Sequence, residues 1–167
     1  MNEQRPSLNT REKYVVVLMF IIAGCFLLLQ IVSIVSSKAK AVVVDDDSIS
    51  ISRNEMLSFM RVAITIVLSL TGAVLLQKIK RSGWVISVSI LMLFTLILGA
   101  ILYGIFTAFQ EMDVTLTFGL FAVLILLMGI IFLFTPGTRK KFRVGRNGIL
   151  AALLLFLLLG GMFFYLQ

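Results

Sequence analysis

Five long apolar runs, separated by short polar segments, make up most of this 167-residue chain. They cover residues 14–36, 56–77, 84–108, 115–135 and 148–167. An α-helix rises about 1.5 Å per residue, so a run of about 20 residues crosses a hydrocarbon core of about 30 Å. Because the runs have no polar face for water, they suit soluble core helices poorly. The pattern predicts an all-α, polytopic integral membrane protein, built as a bundle of five transmembrane helices.

The polar segment before the first run predicts how the chain enters the bundle. Residues 1–13 are expected to form a polar tail, and residues 14–167 a single transmembrane domain. Asn9 or Thr10 is placed to cap the first helix, because either side-chain oxygen can accept a bond from an otherwise unpaired N–H group.

The shortest connections predict the packing order of the later helices. The links at 78–83 and 109–114 have six residues each. Links of this length make the helices they join antiparallel neighbours. Pro136-Gly137 is expected to stop the fourth helix, because proline cannot continue the hydrogen-bond ladder.

The longest connection, residues 37–55, is predicted to be a loop on the outer side of the membrane. Within it, Val42–Val44 is β-branched and residues 48–52 alternate between serine and isoleucine. This pattern predicts a small β-hairpin at the ends of the helices. Ser52-x-x-Glu55 has the form of a capping box, which predicts that the second helix begins near residues 52–54.

Composition favours one membrane domain. Apolar residues account for 60% of the chain and charged residues for 14%, against about 45–50% and about 25% in typical globular domains. The single cysteine, Cys25, lies inside the first run and is expected to be a buried packing residue. A signal peptide cleaved after Ala41 is the alternative for the first run, but its 23 residues exceed the 7–15 of a signal core.

The distribution of charge predicts the orientation. With a cytoplasmic N-terminus, eleven lysines and arginines fall in inner segments and three in outer segments. Inner segments of membrane proteins are rich in these residues, so we expect the N-terminus in the cytoplasm and the C-terminus outside. The absence of a soluble domain and the short connections suggest a prokaryotic plasma membrane.

The residues that most enzymes and proton relays need are absent from the predicted spans. The chain has no histidine, and none of its eight acidic residues falls within the five apolar runs. Intramembrane metal sites, proton paths and activated nucleophiles usually need such groups at membrane depth. We therefore expect no catalytic activity, no metal and no cofactor.

A polar stripe on the second helix is the first candidate site. Arg61 is the only charge inside an apolar run, and Thr65 and Ser69 follow it on one side of the helix. On the first helix, Gln30 and Ser33 lie at a similar predicted depth. Three alternatives stay open: Arg61 reaches the headgroups, it contacts Gln30 and joins the two helices, or the stripe lines a ligand or ion path.

A stripe of small residues on the third helix is the second candidate. Ala100, Gly104 and Ala108 recur every four residues, a pattern that lets two helix backbones approach closely. The stripe is expected to pack helices within this bundle, and the alternative is that it docks another membrane protein or a second copy of the chain.

The third candidate is the densest basic segment, between the fourth and fifth runs. Its cations are Arg139, Lys140, Lys141, Arg143 and Arg146. Beside a membrane, each can contribute about 1 kcal/mol to binding anionic headgroups. The alternative is that this segment docks an acidic cytoplasmic partner. One aromatic residue in a short tethered segment offers no nucleic-acid recognition surface, so no nucleic-acid partner is expected.

These features favour a small non-enzymatic membrane protein that acts through helix or lipid contacts, such as an accessory or assembly subunit. The alternative is an oligomeric carrier or channel for a small or lipophilic solute. The expected partners of the protein are the bilayer and the anionic headgroups on the cytoplasmic face. Another membrane protein, or a second copy of the chain, is a further possible partner.

Overall fold

The described part of the chain forms six α-helices, five of which are long and apolar enough to cross a membrane. The computed structural model describes residues 8–44, 53–109 and 114–165. The helices are α1 (Thr10–Val44), α2 (Arg53–Gln77), α3 (Arg81–Phe109), α4 (Val114–Phe134), α5 (Pro136–Lys141) and α6 (Arg146–Tyr165). The prediction of an all-α bundle with five spanning helices is confirmed.

The spanning helices alternate in direction, so one end of the bundle gathers most of the cations. We call this the basic end: α1, α3 and α6 begin there, α2 and α4 finish there, and the short helix α5 lies there. α3 is the central element, because it packs against α2, α4 and α6, while α1 packs against α2 and α4.

The buried core lies mainly in the half of the bundle nearest the basic end. Its largest fully buried side chains are Trp84, Phe142, Met19, Leu76, Leu91 and Leu133. On α1, Ala23 is the last buried residue before Ser36, and the residues between them are exposed or half-buried. The opposite half of the bundle therefore buries much less of its apolar surface within the chain.

The outer connection differs from the prediction. α1 continues through Val44, so Val42–Val44 is helical and the predicted strand is wrong there. Extending an existing helix adds a hydrogen bond per residue without a new nucleation cost, which outweighs the strand preference of valine. The rest of the predicted hairpin, including Ser52, lies outside the described residues. α2 begins at Arg53, within the predicted range.

Pro136 stops α4 as predicted, but the residues that follow are not simply a loop. Pro136 occupies the first turn of α5, where its missing N–H is no loss. The Thr135 hydroxyl donates to the Phe132 carbonyl oxygen and lies 2.9 Å from the Thr138 hydroxyl. These two contacts connect the end of α4 to α5. The basic segment is therefore held as a short helix beside the bundle.

Two tight turns at the basic end use non-glycine residues in the left-handed region. Ile79 has a φ of 53° and Arg143 a φ of 52°. After α2, the Lys80 N–H donates to the Leu75 carbonyl oxygen. After α5, the Val144 N–H donates to the Arg139 carbonyl oxygen. Both are Schellman motifs, which satisfy carbonyl groups that a helix end would otherwise leave unpaired.

We expect Gly83→Ala to destabilise the junction of α2 and α3. A Cβ atom at Gly83 would overlap the backbone nitrogen of Leu76 and lie 2.5 Å from the carbonyl carbon of Leu75. Because backbone atoms cannot rotate away, the helices must shift, at a cost of about 1–3 kcal/mol. Thermal unfolding in mild detergent measures the loss.

Gly99→Ala, on the same helix, is the matched control, because a Cβ atom there meets nothing within 4 Å. It should leave the unfolding temperature unchanged or raise it slightly. Equal unfolding temperatures for the two variants would contradict the close approach of α2 and α3.

Candidate functional site

An ion pair at the basic end joins the start of α1 to α5. Glu12 is only 3% exposed, and its Oε2 atom accepts bonds from Lys141 Nζ at 2.5 Å and from the Asn9 N–H at 2.8 Å. Asn9 precedes α1, and its carbonyl oxygen accepts from the Glu12 and Lys13 N–H groups. The Asn9 side-chain oxygen accepts from the Thr10 N–H at 2.8 Å, which confirms the predicted cap at Asn9. The Glu12 carboxylate adds the return bond to the Asn9 N–H.

Sequence reasoning placed Glu12 in the polar tail and gave it no role. In the structure it lies in the first turn of α1, inside the helix that spans the membrane. Asn9-x-x-Glu12 has the spacing of a capping box, and this pattern could have predicted the role of Glu12 from the sequence. Its partner is 129 positions away, and no local pattern identifies it.

Aromatic side chains hold the last turns of α4 against α1 and α3. The fully buried Trp84 donates from Nε1 to the Leu133 carbonyl oxygen at 2.8 Å. Tyr14 donates its hydroxyl to the Ile125 carbonyl oxygen, and its ring meets Phe132 edge-on at 5.5 Å. Tryptophan at the end of an apolar run often lies at the membrane interface, but Trp84 is a core residue that satisfies a carbonyl near the end of α4.

The basic segment divides into cations with different surroundings. Lys141 pairs with Glu12, and Arg146 is exposed at the start of α6. Arg139, Lys140 and Arg143 line an open groove of about 360 Å³ together with Pro136, Val144 and Gly145. We call this the arginine groove. The structure thus brings together three of the five predicted lipid-contact residues.

Arg139, which lines the arginine groove, carries one unsatisfied donor. Its Nε atom is buried and has no hydrogen-bond partner. In the described part of the chain, the one ion pair is Lys141 with Glu12, so the three cations of the groove form none. A buried donor without a partner costs about 1–3 kcal/mol, which an acceptor from outside the chain would relieve.

The polar stripe of α2 is partly buried between helices. Thr65 and Ser69 are buried, Arg61 is half-buried, and the Thr65 hydroxyl donates to the Arg61 carbonyl oxygen at 2.9 Å. The Ser69 hydroxyl is buried without a partner. A Cβ atom at Gly72, one turn further, would approach Met19 of α1 and Ser87 of α3, so this face of α2 lies between those helices.

The predicted contact between Gln30 and Arg61 is not seen. Gln30 is half-buried and Ser33 is exposed, and among the described residues no hydrogen bond joins Gln30 to Arg61. A polar contact between helices is found instead at Ser89, whose hydroxyl lies 2.8 Å from the carbonyl oxygens of Val85 and Ala152. It links α3 to α6. A serine within an apolar run is the sequence pattern that could have predicted this contact.

The small-residue stripe of α3 faces away from the other helices. Ala100, Gly104 and Ala108 are all exposed, and a Cβ atom at Gly104 would meet nothing within 4 Å. We expected the stripe chiefly to pack helices inside the bundle, and the structure instead leaves it open. Cys25, expected to be buried, is also exposed, on α1.

Comparison of the chain with protein-family models, with curated proteins and with solved structures finds no match.

We expect the Glu12–Lys141 pair to be strongly non-additive. Lys141→Met leaves the Glu12 carboxylate buried and unpaired, which should cost on the order of 3 kcal/mol. Adding Glu12→Gln removes that charge and keeps an oxygen for the Asn9 N–H. The double variant should therefore recover at least about 1 kcal/mol relative to Lys141→Met alone. Denaturant unfolding in detergent gives the values.

Lys140→Met is the control, because Lys140 is the adjacent cation and is exposed. Its effect should stay within about 0.5 kcal/mol. A double variant that is no more stable than Lys141→Met would mean that the carboxylate is satisfied in some other way.

Proposed function

We propose that the protein is a small non-enzymatic membrane subunit that acts through helix and lipid contacts, as an accessory or assembly subunit. The observation that carries this proposal is the open small-residue stripe on α3, at Ala100, Gly104 and Ala108. Such a stripe gains nothing by facing lipid tails, whereas it allows a second helix to approach closely.

The surroundings of the stripe support a docking role. Tyr103, Ile101 and Phe106 are exposed beside it, and Tyr103 is 70% exposed. Between helices in a membrane there is little hydrophobic driving force, so association depends on close packing and on hydrogen bonds. Bulky side chains beside a row of small ones form a groove into which a partner helix can pack.

The proposed orientation places the basic end in the cytoplasm and the carboxyl-terminal end of α6 outside. Ten lysines and arginines of the described residues lie at the basic end, in the first turn of α1, around the α2–α3 link and from α5 to the start of α6. Among the described acidic residues, only Glu12 lies there. This bias supports the cytoplasmic placement of the basic end. We propose that the membrane is a prokaryotic plasma membrane.

A carrier or channel has less support. The polar residues that could line a solute path, Thr65 and Ser69, are buried where α2 faces α1 and α3. Their position suits helix packing better than an open path.

We expect Gly104→Ile to weaken docking and to leave the fold intact. The added side chain fills the space that a partner helix would occupy, and its Cβ atom meets nothing within 4 Å in the chain. The tagged full-length protein is purified in mild detergent, and the stoichiometry of any co-purifying membrane protein, or of its own oligomer, is measured. The dissociation constant should rise by at least about tenfold, which corresponds to about 1.4 kcal/mol.

Gly24→Ile is the matched control, since Gly24 is an exposed glycine on α1 and a Cβ atom there would also meet nothing within 4 Å. It should leave the stoichiometry unchanged. If the wild type is a monomer without a stoichiometric partner, or if both variants behave alike, the docking role of the stripe is wrong.

A further inference from the structure

The arginine groove combines three cations that no acidic side chain of the described residues neutralises. Arg139, Lys140 and Arg143 line it, and the single described acid at this end, Glu12, is already bound by Lys141. Three like charges in one groove repel one another, and an anion between them removes that repulsion. The groove is therefore electrostatically prepared for a negatively charged ligand.

We infer that the arginine groove binds the phosphate of one anionic phospholipid headgroup. This inference rests on the lipid-contact part of the proposed function, and it does not depend on the docking of a partner. Three of the five candidate cations then contact the lipid, and each chain binds one lipid.

The donors of the groove suit phosphate. Arginine presents several N–H groups in a planar fork that matches two oxygens of a phosphate, and two of the three cations are arginines. The Arg139 guanidinium also has a donor without an acceptor in the chain, because its buried Nε has no hydrogen-bond partner. The volume of about 360 Å³ falls within the range of small-molecule sites.

The position of the groove favours a lipid over a free anion. It lies between the end of α4 at Phe134 and the start of α6 at Arg146, two helices that span the membrane. The ends of spanning helices lie at headgroup depth. Pro136 and Val144 add apolar surface to the lining, which suits the glycerol portion of a lipid.

The backbone fixes where the Arg143 side chain leaves the chain. Arg143 has a φ of 52°, and its N–H donates to the Lys140 carbonyl oxygen at 3.1 Å. Asparagine tolerates this left-handed conformation. Arg143→Asn thus removes the charge and keeps the turn, so a loss of lipid binding would not reflect a broken fold.

The test uses the full-length chain purified in detergent and titrated with phosphatidylglycerol or phosphatidylcholine, with the rise in unfolding temperature and the bound lipid in native mass spectrometry as readouts. The wild type should retain one phosphatidylglycerol per chain and prefer it over phosphatidylcholine. In the double variant Arg139→Gln/Arg143→Asn, the affinity for phosphatidylglycerol should fall roughly 30-fold, from the loss of two interfacial cations.

Lys78→Gln/Lys80→Gln is the matched control, because it removes two exposed cations from the same end of the bundle. Its affinity should stay within about twofold of the wild type. An equal loss in the control would show that only the overall charge matters, and it would overturn the inference.

A parallel titration with inorganic phosphate distinguishes a phospholipid headgroup from free phosphate as the ligand of the groove. If phosphate alone stabilises the wild type as much as phosphatidylglycerol does, the lipid assignment is wrong. The arginine variants should also keep any partner that Gly104→Ile loses, and Gly104→Ile should keep the lipid. Failure of lipid binding is therefore distinguishable from failure of the docking proposal.

Discussion

The structure depends on one constraint: a polar group that is buried away from water costs free energy unless the chain supplies it with a hydrogen-bond partner. Trp84 meets this constraint for the Leu133 carbonyl, and Glu12 meets it for both the Asn9 N–H and the Lys141 ammonium group. These contacts join α1, α3, α4 and α5 near one end. The tight core lies there because that is where the polar groups bind the helices together.

The two halves of the bundle consequently differ in how much of their side-chain surface is buried within the chain. Near the basic end, aromatic and aliphatic side chains from α3 and its neighbours are fully buried. Toward the opposite end, α1 beyond Ala23 and the small-residue stripe around Gly104 face outward. A half that satisfies its own packing can act as a stable base, and the exposed half is the part that a partner can complete. This division is what supports an accessory role.

Run length and local breaks were enough to predict the number of spanning helices and the break at Pro136, because bilayer thickness and proline stereochemistry act locally. Local pattern failed at Val42–Val44, where continuation of a long helix outweighed strand preference. Local pattern also cannot assign Trp84, since tryptophan near the end of an apolar run suits either an interface or a core. Which one applies depends on a neighbouring helix, and so does the pairing of Glu12 with Lys141.

That pairing also explains why counting charges cannot define the candidate site. Five cations in a short segment suggest a uniform basic surface, yet one of them, Lys141, is held by a buried carboxylate from the other end of the chain. By fixing α5 against α1, Glu12 determines which cations remain to face the arginine groove. The same contact that stabilises the fold therefore selects Arg139, Lys140 and Arg143 as the residues free to meet an anion. A single carboxylate thus separates the structural role of Lys141 from the proposed ligand-binding role of its neighbours.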